Sequence, residues 1–447
     1  MTRATAAIIL AAGHSTRMKS AKSKVLHEIG GRCLLGHVLA SCAALKTGHV
    51  VVVSNPAGED VRAAAEAAGA GAAIQDPPLG TGHAVLAAKD ALKDFDGDLV
   101  ILYGDTPLVE PATIEAMLAA RSSGTDVVVL GFRAADPGPY GRMIMDGGAL
   151  KRIVEAKEAS ATELKIDLVN SGVMVADAQT MFDLLSKVTN DNAKGEYYLT
   201  DIVGLANGAG LSCGVIECPE DEVLGVNSRA ELAAAEAALQ RRLRVRAMDG
   251  GVTMVAPETV FLSHDTKLAP DSWIGPNVVF GPGVTVGEGA RINAFSHLEG
   301  ATVAANAQVG PYARLRPGAQ LDKGAKVGNF VEVKKAHIEE GAKVNHLTYI
   351  GDARVGVGAN IGAGVITCNY DGFDKYFTDI GAGAFIGSNT SLVAPVVVEA
   401  GAYVGSGSVI TKTVDKDALA LTRPEFKQIS GWATKFRARK KKEKSKD

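Results

Sequence analysis

The sequence predicts an α/β protein in two unlike parts: a doubly wound, Rossmann-like domain of parallel strands, then a parallel β-helix. Three observations carry this. Up to about residue 230, short β-branched runs alternate with Ala-rich helical stretches. From Ile274 onward, aliphatic residues recur at every sixth position. The 447 residues include 51 Gly and only 5% aromatics, which suits many turns and thin cores.

In the first part the strand candidates are Ala7–Leu10, Val50–Val53, Leu99–Leu102 and Val127–Leu130, with helical segments such as Asp60–Ala68 and Thr113–Ala120 between them. Fully apolar strands separated by helices predict a parallel sheet covered on both faces. Ligands of such a sheet bind at the carboxyl ends of its strands. Ser228-Arg-Ala-Glu231 then reads as a capping box. The helix it starts carries Leu232, Ala235, Leu239 and Leu243 on one face and ends at Gly250-Gly251, a C-cap and stop.

The second part is a repeat. Its frame runs Ile274, Phe280, Val286, Ile292, Leu298, slips by one residue to Val303, and continues through Val309, Leu315, Leu321, Val327 and Val333. Further slips lead to Ile338, Val344, Ile350 and to Val355, Ile361, Thr367. After a break at Cys368–Asp379 it resumes at Ile380 and reaches Ile410. Each hexad predicts a short strand and a corner, three hexads one triangular coil. At the usual ~4.8 Å strand spacing, about seven to eight coils make a prism about 35 Å long. The polar and aromatic break must loop out of it, as a working segment rather than filler. The domains expected are 1–227, a linking helix 228–250, the prism 251–424, and a basic tail 425–447.

Composition excludes several classes. Gly lacks the every-third-residue period of collagen, and 47% hydrophobic residues is too many for disorder. No run approaches the ~18–20 apolar residues of a membrane helix. The net charge is −3, and seven Lys/Arg against two acids between Arg437 and Asp447 leave −8 on the rest. An acidic body with few aromatics argues against nucleic-acid binding, and the tail predicts a solvated, mobile end. Five Cys without zinc spacing fit a reducing cytoplasm.

The strand Ala7–Leu10 runs into Ala11-Ala12-Gly13-His14-Ser15-Thr16-Arg17, a tight turn whose N–H groups and arginine can grip phosphate, with Lys24 as a second cation. It has neither the P-loop nor the Gly-x-Gly-x-x-Gly pattern. Asp105 follows the apolar strand Leu99–Leu102, where an acid can hold Mg²⁺ against phosphates. In the second part Arg316 and Lys334 are one coil apart, so they should stack on one edge as a phosphate clamp. His346, nearby, is a suitable base at neutral pH. On spacing alone, a solvated charged edge remains the alternative.

Together the Leu-Ala-Ala-Gly…Thr-Arg-Met…Lys loop, Leu79-Gly-Thr-Gly-His83, Tyr103-Gly-Asp105 and Gly195-Glu-Tyr-Tyr-Leu-Thr-Asp201 resemble sugar-1-phosphate nucleotidylyltransferases. With the hexapeptide half, the chain resembles, from about residue 5 to 432, the bacterial bifunctional N-acetylglucosamine-1-phosphate uridylyltransferase/glucosamine-1-phosphate N-acetyltransferase family. The resemblance implies a left-handed β-helix, a homotrimer, and Mg²⁺ as cofactor. It implies UTP, glucosamine-1-phosphate, N-acetylglucosamine-1-phosphate and acetyl-CoA as reactants. For uridylyl transfer it implies Leu10, Ala11, Ala12, Gly13, Gln75, Gly80 and Thr81 on uracil and ribose, and Arg17 and Lys24 on phosphates. Asp105 and Asn227 would hold the metal, and Gly141, Glu155 and Asn170 the acetylated sugar, with Tyr103 nearby. For acetyl transfer it implies Arg316 and Lys334 on the sugar phosphate, Tyr349 and Asn360 on the sugar, and His346 as general base. Asn369 and Tyr370 would meet the acetyl donor; Ala363, Ser388, Ser406 and Arg423 would line the coenzyme A path. Ser15 stands where the family has Gly and Ser23 where it has Pro, departures that bear on loop geometry. Related enzymes often carry Ala where Ser406 stands. The second reading is a single-function nucleotidylyltransferase whose prism serves regulation or assembly.

Overall fold

A computed structural model describes residues 3–13, 15–423 and 425–444. His14, within the phosphate loop, and Ser445–Asp447, at the end of the basic tail, lie outside the described residues. Two compact units divide the chain at residues 245 and 246.

The first unit is one sheet with helices on both faces. Its central order is Cys213–Glu217, Val127–Arg133, Leu168–Asp177, Asp98–Tyr103, Thr5–Leu10, His49–Ser54, Gly71–Ile74. Thr5–Leu10 is parallel to both neighbours, Leu10 lying opposite Val53 and Tyr103. Ile8, Ile9, Val52, Val53, Leu99 and Ile101 are buried, as strands covered on both faces require. The expected all-parallel sheet needs one correction: Leu168–Asp177 runs antiparallel to both neighbours. It is reached through the hairpin Arg142–Asp146/Ala149–Val154, with no crossover helix to return the chain to the amino end. That hairpin hangs at the carboxyl edge and carries Gly141 and Glu155 at its two ends.

The helix Arg229–Asp249 begins as expected, with Ser228 Oγ accepting from Glu231 N at 3.2 Å. Glu231 reaches back to Asn227 N (2.6 Å), one residue earlier than in the usual box, so the cap also fixes Asn227. Along its length Ala235, Ala238 and Leu239 pack with Ile29, Leu34, Leu108 and Val226. Most of this helix thus belongs to the first unit.

In the second unit every predicted inward residue from Ile274 to Ile410 is buried, Thr367 included. Thr367 Oγ1 is satisfied within the core, accepting from Gly351 N (2.8 Å) and donating to Gly351 O (3.1 Å). Frame slips are coils one residue shorter: Ile274 pairs Ile292, eighteen residues on, and Val286 pairs Val303, seventeen on. One face of the prism has ten rungs, from Thr253–Met254 to Leu419–Ala420. Nine intervals make it about 43 Å long, longer than the periodicity alone indicated. The extra rungs of this face, at Met254 and Ala420, fall outside the hexad phase. The break forms a tight excursion between Ile366–Cys368 and Thr378–Ile380, closed by a Tyr370–Lys375 bridge.

Glycine has two parts in the prism. Where Gly follows an inward residue it gives room: a Cβ on Gly328 would lie 2.0 Å from Asn345 O of the next coil. Left-handed corners are shared between glycines, such as Gly289, Gly324 and Gly341, and larger residues, among them Phe295, Tyr312, Phe330 and Leu347. The basic stretch near the C-terminus forms an exposed helix, Trp432–Lys444.

Candidate functional sites

The predicted nucleotide residues converge. A cavity of about 370 Å³ at the carboxyl ends of Thr5–Leu10 and Asp98–Tyr103 is lined by Leu10, Ala11, Ala12, Gly13, Lys24, Gln75, Gly80, Thr81, Tyr103 and Asp105. Its remaining wall is Val25, Pro78 and Ala84, which motif reading did not single out, and Glu196, which stands in the Gly195–Asp201 motif without an assigned role. Gln75, buried, donates from Nε2 to Gly80 O (2.8 Å) and so shapes the loop that would face a base. The loop is zipped to the segment behind it: Tyr197 N donates to Leu79 O, Gly82 N to Tyr197 O, and Leu199 N to Thr81 Oγ1.

Both serine departures fit. Ser15 has φ −76°, a conformation open to any residue, and its Oγ accepts from Lys24 N at 2.9 Å. Ser23 sits at φ −54°, close to the value proline imposes. Arg17 is exposed on the turn Thr16–Met18, beside a larger open cleft of about 900 Å³ bounded by Thr16, Lys19 and Lys22.

Lys24 Nζ donates to Asn227 Oδ1 (2.7 Å) and forms an ion pair with Asp105 Oδ2. Two oxygens from distant chain positions therefore converge on one cation, the donor chemistry that Mg²⁺ prefers. Among the described residues no group of three or more His, Cys, Asp or Glu could hold a metal.

The sugar side continues from Tyr103. Its ring packs on Gly172, where φ is +94° and a Cβ would lie 2.5 Å from Cε2. Asn170 Oδ1 accepts from Gly172 N, and Asn170 N donates to Gly141 O, each at 2.9 Å. Gly141 gives room to Ile153, since a Cβ there would lie 2.9 Å from Ile153 Cγ2, and it sits beside Glu155, whose Oε1 would be 3.6 Å from that Cβ. Glu155 accepts from Thr200 Oγ1 at 3.3 Å, and burial pushes its carboxyl above the usual range. Burial likewise raises the Tyr103 phenol. Thr200 and Gly172 stand in motifs visible in the sequence, but only the structure shows what they hold.

On the prism, the residues fall on two edges flanking one face. At the first, His346 Nδ1 lies 2.7 Å from Asn329 Oδ1, one coil back. The amide oxygen can only accept, so this contact favours the tautomer with the proton on Nδ1 and a lone pair on Nε2. Successive coils follow along the same edge: Gly364 N donates to His346 O, Asn389 N to Ala363 O, and Gly407 N to Ser388 O. Ala363, Ser388 and Ser406 thus form a column leading from His346, and the Arg423 guanidinium comes close to Gly405 at its far end.

At the second edge Arg316 N donates to Val333 O, which sets Arg316 beside Lys334 as predicted. The structure adds Lys375 from the excursion. The charges of Lys375 and Arg316 lower the Lys334 ammonium from its ordinary value. Three cations gather here: Glu332 takes Arg316 at 2.8 Å, while Asp352 binds Asn369. Tyr349 pairs with Glu332 on the face between the edges. Tyr370, at the start of the excursion, is exposed. Asn360 lies on the neighbouring face, paired with Lys343.

An α/β unit with a nucleotide-sized cavity, followed by a triangular prism with a basic edge and an imidazole edge, defines a transferase with two separate centres. Family comparisons agree. Residues 7–167 match the MobA-like NTP transferase domain, and residues 265–300 and 377–412 match the bacterial transferase hexapeptide of six repeats. The chain is 59% identical to the bifunctional protein GlmU of Maricaulis maris over 98% of both chains. It is 58% identical to that of Rhodospirillum rubrum over 97% of both, and 55% identical to that of Paramagnetospirillum magneticum over 99% of this chain and 98% of that one. The chain belongs to the GlmU family of bifunctional proteins, and its prism is the left-handed hexapeptide β-helix.

Proposed function

We propose that the chain makes UDP-N-acetylglucosamine in two steps at two centres. The observation that carries this is the sorting of the candidate residues into one cavity on the first unit and two flanking edges on the second.

In the acetyl-transfer step, Arg316, Lys334 and Lys375 hold the phosphate of glucosamine-1-phosphate. His346 Nε2 takes a proton from the 2-ammonium, and the freed amine attacks the thioester carbon of acetyl-CoA. The C–S bond breaks, and coenzyme A leaves along the Ala363–Ser388–Ser406–Arg423 column. Asn369 and Tyr370 meet the acetyl donor, and Tyr349 and Asn360 the sugar.

In the uridylyl step, Gln75 and Gly80 seat the base, and Leu10 to Gly13 with Thr81 face base and ribose. Glu155, Asn170 and Gly141 orient the acetylated sugar so that a phosphate oxygen attacks the α-phosphorus in line, releasing pyrophosphate. Lys24 and Arg17 neutralise the developing charge. Asp105 and Asn227 are the residues that would hold Mg²⁺, which supplies charge neutralisation at the phosphates when bound.

The chain acts as a homotrimer in the cytoplasm. An exposed apolar column beside His346 supports the first point: Phe295, Tyr312 and Phe330 stack with ring centroids 4.9 and 5.2 Å apart, followed by Leu347. Free cysteines at all five positions suit the second. Among the described residues no helix is long and apolar enough to cross a membrane.

Two substitutions test the assignment. Asp105→Ala should lower UTP-dependent pyrophosphate release at least a thousand-fold and spare acetyl transfer; His346→Ala should do the reverse. Retained pyrophosphate release in the first, or joint loss of both activities in either folded variant, contradicts two independent centres.

A further inference from the structure

Lys24 has two partners that the proposed metal also needs. Its ammonium lies between Asp105 Oδ2 and Asn227 Oδ1, with only 14% of the lysine side chain and 19% of the aspartate side chain exposed. The lysine is fixed from behind by its backbone bond to Ser15 Oγ. Asn227 is fixed by the helix cap through Glu231. Little slack exists for a second cation beside the first.

A divalent ion of the Mg²⁺ type seeks about six oxygens at ~2.1 Å. This site offers two protein ligands and one formal negative charge, and one oxygen of each already faces an ammonium. Like charges this close in a partly desolvated cleft repel strongly. A triphosphate changes the balance, because its oxygens can complete the metal's shell and give the ammonium new partners.

We propose that the Lys24 ammonium and the divalent cation compete for one seat between Asp105 and Asn227. Lys24 keeps metal out of the nucleotide-free cleft, and metal is held only once triphosphate oxygens draw the lysine away. The lysine is an internal counter-cation that makes metal binding conditional on nucleotide. This rests on the reading of Asp105 and Asn227 as metal ligands.

The test uses Mn²⁺ as probe, with water-proton relaxation enhancement to separate protein-bound Mn²⁺ from small complexes, on the full chain without acceptor sugar. Lys24→Met should bind Mn²⁺ at least ten-fold more tightly than wild type in the absence of nucleotide. Lys19→Met, which removes an exposed cation of the same loop, should change it less than two-fold. In wild type, UTP should strengthen Mn²⁺ binding at least ten-fold, and uridine should not. Lys24→Met binding no tighter than wild type, with unchanged circular dichroism and Tm, overturns the proposal. So does a wild-type protein that binds Mn²⁺ equally with uridine and UTP, a comparison that stands even where the variant fails to fold. Asp105→Ala separates the two levels. If it keeps wild-type UTP-dependent Mn²⁺ binding, the metal-ligand reading itself fails. If it loses that binding while Lys24→Met gains nothing, only the competition fails.

Discussion

Ser15 holds the Lys24 backbone through its hydroxyl, and Ser23 takes a φ of −54° that proline would also allow, so both departures from the expected loop pattern suit Lys24. Neither role was legible from residue type, because φ and a hydroxyl's partner depend on the folded loop. The same holds for Asn329, invisible as a motif yet one coil behind His346, and for Lys375, separated by a loop from the clamp it completes. Asn329→Ala should lower kcat for acetyl transfer about ten-fold, with KM within two-fold, because it frees the His346 tautomer rather than removing a substrate contact. A changed KM at constant kcat would make Asn329 a binding group instead. Glu155 carries a pH signature. Burial raises its carboxyl, so the ionised acceptor is lost, as pH falls, at a higher pH than for an ordinary carboxylate. Uridylyl transfer should show that acid limb, and Glu155→Gln should remove the limb and raise the sugar KM about ten-fold. The stability sign is opposite. The native carboxyl binds its proton more tightly than the unfolded one, so its contribution falls as pH rises through the window between the ordinary and the raised value. Glu155→Gln should therefore raise Tm at neutral pH, measured by calorimetry.

At the scale of elements, periodicity was the readable signal. Every residue the six-residue repeat marked as inward is buried, and so is the residue two positions before it in most hexads, as at Val278, Val284 and Ala290, which the repeat left unmarked. It missed the rungs at both ends, where Met254 and Ala420 are out of phase with the hexads. In the first unit the apolar runs marked the strands, but an apolar strand carries no mark of direction. Leu168–Asp177, which is outside the four strand candidates, runs antiparallel, so the parallel sheet expected from those candidates does not hold there. Coil-to-coil spacing leaves no room at the glycines facing the next rung. Gly328→Ala, whose Cβ would collide with Asn345 O, should cost about 2–4 kcal/mol. The expected drop in thermal midpoint of the second unit should leave uridylyl transfer at low temperature unchanged. A variant as stable as wild type would show that the coils yield more than this packing implies.

At the scale of the whole molecule, two kinds of site were legible to different degrees. The nucleotide cavity was nearly complete in motifs at strand ends, because a parallel sheet places those ends together. The prism site was legible as two fragments, since its residues follow the eighteen-residue coil and lie on separate edges. The central claim is that acetylation on the prism makes the substrate for the first unit. One reaction tests it: purified chain with glucosamine-1-phosphate, acetyl-CoA, UTP and Mg²⁺, following free thiol and pyrophosphate together. The account predicts that both appear, with pyrophosphate lagging behind thiol and falling at least a hundred-fold when acetyl-CoA is left out. Pyrophosphate released at the full rate without acetyl-CoA, or no thiol with it, would contradict it.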